Sequence, residues 1–416
     1  MAKVLVIGGG GREHAICYKF NQSPLVDKVF VAPGNPGMSD VATLVNISGN
    51  DFDKLIKFAK KEKIDLTFVG PEIPLCLGIV DKFEKEGLRV FGPSEKAARL
   101  EGSKVFSKMM MEKYNIPTAK HKSFDNYEDA LLYLDKQKAP IVIKADGLAA
   151  GKGVIIANTL EEAKKSLMMI MVENQFENAG NKVVIEEFLE GEEFSLLAFV
   201  NHDLVIPMQL AQDHKRAYDN DEGFNTGGMG AYTPMSHISD EILNETMEKI
   251  MKPMANAMIE EGCPFVGILY GGCMLTENGV KTIEFNVRFG DPETEVILPA
   301  LENDLYQVII DVLDKKEVSL KWSDKSYCGV VLASNGYPNL YQKGYEIEGL
   351  ENVQTLVFHM GTAIKNNKLV TSGGRVLFVV GVGDDLKQAQ ENAYKEIPKI
   401  KCDNLFYRKD IGNKGL

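Results

Sequence analysis

The run from Lys281 to Thr294, Lys-Thr-Ile-Glu-Phe-Asn-Val-Arg-Phe-Gly-Asp-Pro-Glu-Thr, holds the densest chemistry in the chain. On a strand, alternate side chains share a face. Glu284, Asn286 and Arg288 therefore project together, and Ile283, Phe285 and Val287 project the other way. Hard oxygen ligands two residues apart suit Mg²⁺ that also touches phosphates. A guanidinium one pleat further suits a carboxylate or a transferring phosphoryl group. The plainer alternative is a solvated strand face. Upstream, Asp213-His214-Lys215-Arg216 adds a charged loop and Asn225–Tyr232 a glycine-rich one. His214 fits loop structure better than catalysis.

Two glycine loops invite comparison with nucleotide motifs. The first, Gly8–Gly11, follows an apolar run and opens a helical pattern. A dinucleotide fingerprint would place its third glycine at Glu13, and an acidic residue would close the second strand, which instead ends in Ala32-Pro33-Gly34-Asn35. Both checks fail. Backbone amides at such a turn suit an anion such as a substrate phosphate, and a tight structural turn explains it equally. The second loop links Ile141–Ala145 to Val154–Ala157. Gly147 to Lys152 is one residue short of a Walker A motif and opens a strand, not a helix. A hairpin of this kind suits a lid over a triphosphate, with Lys144 and Lys152 countering its charge; an exposed basic hairpin is the alternative. Beyond it, Glu186-Glu187-Phe188-Leu189-Glu190-Gly191-Glu192-Glu193 breaks a strand into an acidic turn, able to read an adenine edge and a ribose or simply solvated.

These motifs need a framework of several packed units, since 416 residues exceed one ordinary core. Over residues 1–100, apolar runs at Val4–Ile7, Lys28–Ala32, Leu66–Val69 and Arg89–Phe91 alternate with helical patterns near 12–21, 52–62 and 74–86. That cadence predicts a parallel sheet with ligands beyond its strand carboxyl ends. A helix is expected near 104–114, followed by strands Ile141–Ala145, Val154–Ala157 and Lys182–Glu187 and a helix near 160–171. Long strands are expected at 194–200, 204–211, 266–275 and 280–286, with a helix near 240–261. The remainder shows strands Cys328–Ala333, Gln354–Phe358 and Val376–Val382 and a helix near 384–396. The expected fold is α/β and α+β and multidomain. Its units are an N-terminal parallel α/β domain over 1–103, a region over 104–326 with a lid near 120–190, and a small α+β domain over 327–416.

A net charge of −12 argues against a general nucleic-acid or anionic-membrane surface. The six cysteines form no C-x-x-C pair, which disfavours a zinc site or redox dithiol and fits a reducing compartment. No run approaches a membrane span, and the N-terminal apolar stretch is too short for a signal peptide.

Taken together, VLVIGGGGREHA, VAPGNPG, VGPE, EGSK, PIVIKADGLAAGKGV, VIEEFLEGEE, QDHKR, NTGGMGAY, IEFNVRFGDPET and SGGRV closely resemble the glycinamide ribonucleotide synthetase family, ATP-grasp ligases of purine synthesis, over essentially the whole chain. The resemblance implies an ATP-grasp fold in the middle region. It also implies a cytoplasmic enzyme that joins glycine to 5-phosphoribosylamine, giving ADP and phosphate through a glycyl phosphate. It implies ATP on Lys104, Lys144, Gly147, Gly151, Lys152, Glu186, Glu187, Leu189 and Glu193, and Mg²⁺, or Mn²⁺ in its place, on Glu284 and Asn286. Arg288, Asp213 and Lys215 would face the reacting groups. Gly10, Gly11, Glu13, Asn35, Glu72 and Arg375 would hold the phosphoribosylamine. A monomer or weak homo-oligomer, with small molecules as its only partners, is expected. In one respect the chain departs from the wider superfamily: a second acidic metal ligand about twelve residues before the Glu-x-Asn pair would fall on Gly272.

Three other readings compete. A carboxylase or formate-using ligase of the same superfamily would release phosphate with a different acid. A non-catalytic nucleotide sensor would not turn ATP over, and a nicotinamide oxidoreductase would bind NAD(P)H.

Overall fold

A computed structural model describes residues 1–148, 153–173 and 180–416. The N-terminal α/β cadence folds as expected. β1 (Ala2–Gly8), β2 (Val26–Pro33), β3 (Thr43–Leu44), β4 (Leu66–Val69) and β5 (Val90–Phe91) form one sheet in the order β3-β2-β1-β4-β5. All its pairings are parallel. Every residue of β4 is buried, as a strand covered by helices on both faces requires. The helix expected over 74–86 is two, Glu72–Cys76 and Ile79–Lys85. The break falls at Gly78, whose φ of +77° is left-handed and suits glycine.

A smaller sheet follows, with β6 (His121–Phe124), β7 (Ile141–Ala145), β8 (Val154–Ala157) and β9 (Val183–Glu187) in the order β6-β9-β7-β8. With helices Tyr127–Leu134 and Leu160–Met171 it encloses its own core, including Leu134, Ile143, Leu167 and Ile185, separate from the main one. The lid expected near 120–190 is thus a unit with an apolar centre of its own.

The third sheet joins β10 (Glu192–Asn201) and β11 (Leu204–Pro207) to two long strands further along. Four short strands intervene: β12 (Gln212–Asp213), β13 (Arg216–Tyr218), β14 (Glu222–Asn225) and β15 (Gly230–Thr233). Then come β16 (Val266–Thr276) and β17 (Gly279–Asn286), giving the order β11-β10-β16-β17. The helix expected near 240–261 runs as Asp240–Thr246 and Lys252–Glu260 with a π turn between them, just ahead of Pro253. Proline lacks the amide that would close a regular turn there.

The final segment contributes β18 (Ser326–Ser334), β19 (Leu356–His359), β20 (Thr362–Lys365), β21 (Lys368–Thr371), β22 (Arg375–Gly383) and β23 (Leu405–Phe406). Its main sheet runs β12-β15-β18-β22-β19, with β23 on β18. Strands from the middle region therefore complete the C-terminal sheet, and the 326/327 boundary expected from sequence cuts through it. One apolar core runs from β1 through β10 and β16 to β18 and β22. Among the described residues no helix is long and apolar enough to cross a membrane.

Candidate active site

The strand β17 shows how local sequence makes the site. Gly272 pairs with Glu284 and Cys273 with Thr282, so Ile283 is an extra residue, a β-bulge. Glu284 and Asn286 alternate on β17, the strand ends there, and Arg288 follows in a bend two residues on; all three line one cleft. Ile283 and Phe285, expected on the opposite face, also line the cleft, and at Ile283 the bulge frees the carbonyl, which accepts from Lys144 Nζ at 3.1 Å. The cleft holds about 430 Å³ and lies where the first, second and third sheets meet.

One end is basic and apolar. Lys144 lies one residue before the end of β7, Lys104 opens helix Lys104–Lys113, and Val142, Ile156 and Leu189 supply apolar walls. Lys104 Nζ donates to the Gly147 carbonyl at 3.3 Å. Glu186, buried on β9, binds Lys144 at 3.0 Å. Burial alone would raise the Glu186 pKa, but Lys144 and Lys108 outweigh it and hold the carboxyl below its ordinary value. Glu187 turns partly away, accepting from Lys120 N at 3.0 Å and pairing with Lys281 at 3.2 Å. Glu193 lines the cleft. Gly151 and Lys152 lie outside the described residues.

The middle of the cleft gathers the reactive charges. Lys215 pairs with Asp213 at 2.9 Å, with Glu193 4.0 Å away. Burial works to discharge Lys215, yet Asp213, Tyr270 and Glu193 keep it charged, well above its usual pKa. Glu284 is likewise opposed by burial and held below its ordinary value by Lys144, Lys215 and Lys104, which keeps its carboxylate ionised. With the Asn286 amide oxygen it fits a hard divalent cation that takes its remaining ligands from phosphate and water. Arg288 does not pair with Asp291 or Glu293. Its Nη2 lies 2.9 Å from Glu101 Oε1 and its Nε 3.4 Å from Glu72 Oε2. Glu101 Oε2 also accepts from Val287 N at 2.7 Å, so one carboxylate fixes both the strand end and the guanidinium.

At the other end, Glu72 and Arg375 line the cleft. Arg375 Nη1 lies 2.9 Å from Asp291 Oδ1 and donates to the Gly227 carbonyl at 2.9 Å, carrying the C-terminal segment onto the site. Gly10, Gly11, Glu13 and Asn35 do not line the cleft, and the Gly10 amide and the Glu13 and Asn35 side chains have partners within the protein. Glu13 Oε2 accepts from Gly10 N at 2.7 Å and Gly9 N at 3.2 Å, occupying amides that the glycine loop offers an anion. Asn35 Nδ2 donates to the carbonyls of Gly9 and His359, both at 2.9 Å, and ties the loop to the C-terminal sheet. His214 is fully buried and held down to about pKa 4 by burial and Arg408; it accepts from Gly412 N, a structural placement.

Sequence reasoning missed Arg12, Glu101, Lys108, Tyr270 and Glu293, all of which line the cleft. Lys108 was findable, because it lies one helical turn from Lys104 and so on the same face. Burial pushes its pKa down to about 8 despite Glu186. Tyr270 and Ser195 both donate to Glu293 Oε1, at 2.9 and 3.0 Å, an arrangement that only the pairing of β10 with β16 creates.

Comparison with known proteins follows the same geography. Three family models match in succession: the phosphoribosylglycinamide synthetase N domain over 2–101, its ATP-grasp (A) domain over 102–294, and its C domain over 327–414. The chain is 56% identical to a phosphoribosylamine–glycine ligase of Halalkalibacterium halodurans, covering 99% of this chain and 97% of the relative. It is 52% identical to the Caldanaerobacter subterraneus protein of the same name, over 98% and 99%. A crystal structure of phosphoribosylamine–glycine ligase from Thermotoga maritima matches with a TM-score of 0.86 and 34% identity, over 98% and 100%. The biotin carboxylase domain of a Hydrogenobacter thermophilus 2-oxoglutarate carboxylase, bound to MgADP and bicarbonate, matches with a TM-score of 0.74 and 15% identity, over 98% and 91%. That second likeness is one of fold.

Proposed function

The chain belongs to the phosphoribosylglycinamide synthetase family, and from that premise we propose how its cleft carries out the family's reaction. It is an ATP-dependent, ADP-forming carbon–nitrogen ligase that joins glycine to 5-phosphoribosylamine in purine biosynthesis. The observation that carries the residue assignment is the convergence of Lys144, Glu284, Asn286, Lys215 and Arg288 on one cleft.

We assign the basic, apolar end to ATP. Val142, Ile156 and Leu189 sandwich the base, Glu193 accepts from the ribose, and Lys104 and Lys144 face the phosphates. Glu284 and Asn286 would hold Mg²⁺, or Mn²⁺ in its place, which would neutralise phosphate charge. A glycine carboxylate oxygen attacks the γ-phosphorus, the bond to the β,γ-bridging oxygen breaks, and ADP leaves with its electron pair. Lys215 and Arg288 face the charge that moves onto the transferring group, and Asp213 keeps Lys215 aimed. The phosphoribosylamine nitrogen, placed by Glu72 and Arg375, then attacks the acyl carbon of glycyl phosphate. Phosphate departs and the nitrogen gives up a proton. The protein's task is positioning and charge neutralisation. Cytoplasmic location and a monomer or weak homo-oligomer complete the reading.

Phosphate release from ATP, with glycine and phosphoribosylamine each omitted in turn, tests it. Release should require both. Release with bicarbonate or formate in place of glycine would assign the cleft to a different acid.

A further inference from the structure

Lys108 sits one turn beyond Lys104 on helix Lys104–Lys113, and none of the roles above uses it. It is 3% exposed. Its ammonium lies 3.1 Å from Glu186 Oε2 and donates to Thr118 Oγ1 at 2.7 Å. Thr118 in turn donates to the Thr282 carbonyl at 2.7 Å, which fixes the ammonium against β17. Lys144 reaches the same Glu186 oxygen at 3.0 Å. Two cations therefore converge on one oxygen of one carboxylate. The other oxygen, Oε1, is buried with no hydrogen-bond partner among the described residues.

Stability alone does not account for this cluster. One lysine neutralises one buried glutamate, and a second adds a buried positive charge whose other acidic neighbour is Glu284, the carboxylate assigned to the metal. A carboxylate facing a single ammonium would also be free to engage it with both oxygens, yet here one oxygen is left without a partner. The second lysine changes what the first can do. Lys144 and Glu186 by themselves form a neutral pair with little pull on an anion. With Lys108 added, the three side chains carry a net charge of +1, and Glu186 is shared. An ammonium has three donors. Lys144 directs one to Glu186 and one to the Ile283 carbonyl, leaving the third for a ligand in the cleft.

We propose that Lys108 is a positioning residue for nucleotide binding, which shares the Glu186 carboxylate with Lys144 and so keeps part of the Lys144 charge available to a phosphate. The inference rests on the reading that this end of the cleft binds ATP.

A double-mutant cycle on the full chain tests it, with ATP dissociation constants measured by calorimetry. Lys108→Met should weaken ATP binding about tenfold, since Glu186 then engages Lys144 alone. Lys108→Arg keeps the charge and should restore affinity to near the native value. In a Glu186→Gln background, Lys108→Met should change affinity less than twofold, because there is no carboxylate left to divert. Equal weakening in both backgrounds would make Lys108 a direct ligand or a packing residue and overturn the proposal. Unchanged affinity in Lys108→Met would overturn it as well. Circular dichroism and melting temperature accompany each variant. If Lys108→Met does not fold, Lys108→Gln, which removes the charge but keeps a donor toward Thr118, carries the same readings. Absence of ATP binding in the native chain would instead sink the assignment of the cleft.

Discussion

At the scale of single residues, the direction of Arg288 within the cleft is set by two carboxylates. Glu284 and Asn286 share a face because a strand alternates, and Arg288, in the bend just past the end of β17, reaches the same cleft. The partners of Arg288 are Glu101 and Glu72, from two other elements, and no spacing in the chain announces them. Burial would discharge Arg288, but these two carboxylates keep it charged. Glu101 also fixes its direction through Val287 N. Arg288→Lys keeps a charge between the two acids but loses the planar fork. Turnover should fall about 10²–10³-fold, the usual effect of losing a donor to developing charge, with ATP affinity nearly unchanged. Glycine-dependent phosphate release per folded molecule decides this, and normal turnover in a destabilised variant would make Arg288 structural. A second residue-scale prediction concerns Glu295, which is fully buried with neither carboxyl oxygen hydrogen-bonded among the described residues. Burial, reinforced by Asp291, lifts its pKa well above the ordinary carboxyl value, so the folded chain keeps this proton when the unfolded chain has lost it. The native protein therefore loses stability through this group as pH rises above the unfolded value, by up to about 1.4 kcal/mol per pH unit. Glu295→Gln removes the titration. Its melting temperature relative to the native protein should climb between pH 5 and pH 8, and a difference that stays flat across that range would show Glu295 to be ionised.

At the scale of elements, the parallel N-terminal sheet and the strands flanking the second glycine loop could be read directly from apolar runs bounded by turns. What escaped was decided by particular residues. Gly78 splits one expected helix, Pro253 puts a π turn into another, and the strand expected over 204–211 stops at Pro207. The four-residue strands β6 and β14 are too short to show alternation. The lid is the element-scale feature with the clearest consequence. Its core is separate from the main one, so an opening of this unit would leave the main core covered. It also supplies Lys144 and Glu186 to the cleft, so nucleotide should tie it down. Added ATP should slow amide exchange in the described parts of residues 120–190 more than in the sheet of residues 1–91. Equal slowing in both regions, or none in the lid, would count against a lid that closes on nucleotide.

At the scale of the whole molecule, the sequence indicates three regions in succession but not how they interlock. The family models divide the chain in the same order, with matches ending at 294 and resuming at 327. The backbone does not respect that division. β15 pairs with β18 over Gly230–Thr233, and β12 extends the same sheet through Gln212 and Asp213. Such pairings join segments about a hundred residues apart, and two- to four-residue strands leave no periodic trace from which to infer them. Asp213 is therefore held in place by a strand whose continuation is the C-terminal sheet. Arg408 binds Asp221 at 2.9 Å from the same side, while Arg375 reaches Asp291. A chain cut after residue 326 would remove β18 and leave the edge of β15 open beside exposed core side chains such as Met229 and Tyr232, a state prone to aggregation. It should be largely insoluble or, if recovered, should unfold non-cooperatively in urea, although every assigned ATP-binding residue is still present. Sizing chromatography, urea unfolding and ATP titration on residues 1–326 measure this. A compact, cooperative fragment with native ATP affinity would show that the C-terminal sheet serves only the sugar end of the cleft, and that Asp213 needs no support from it.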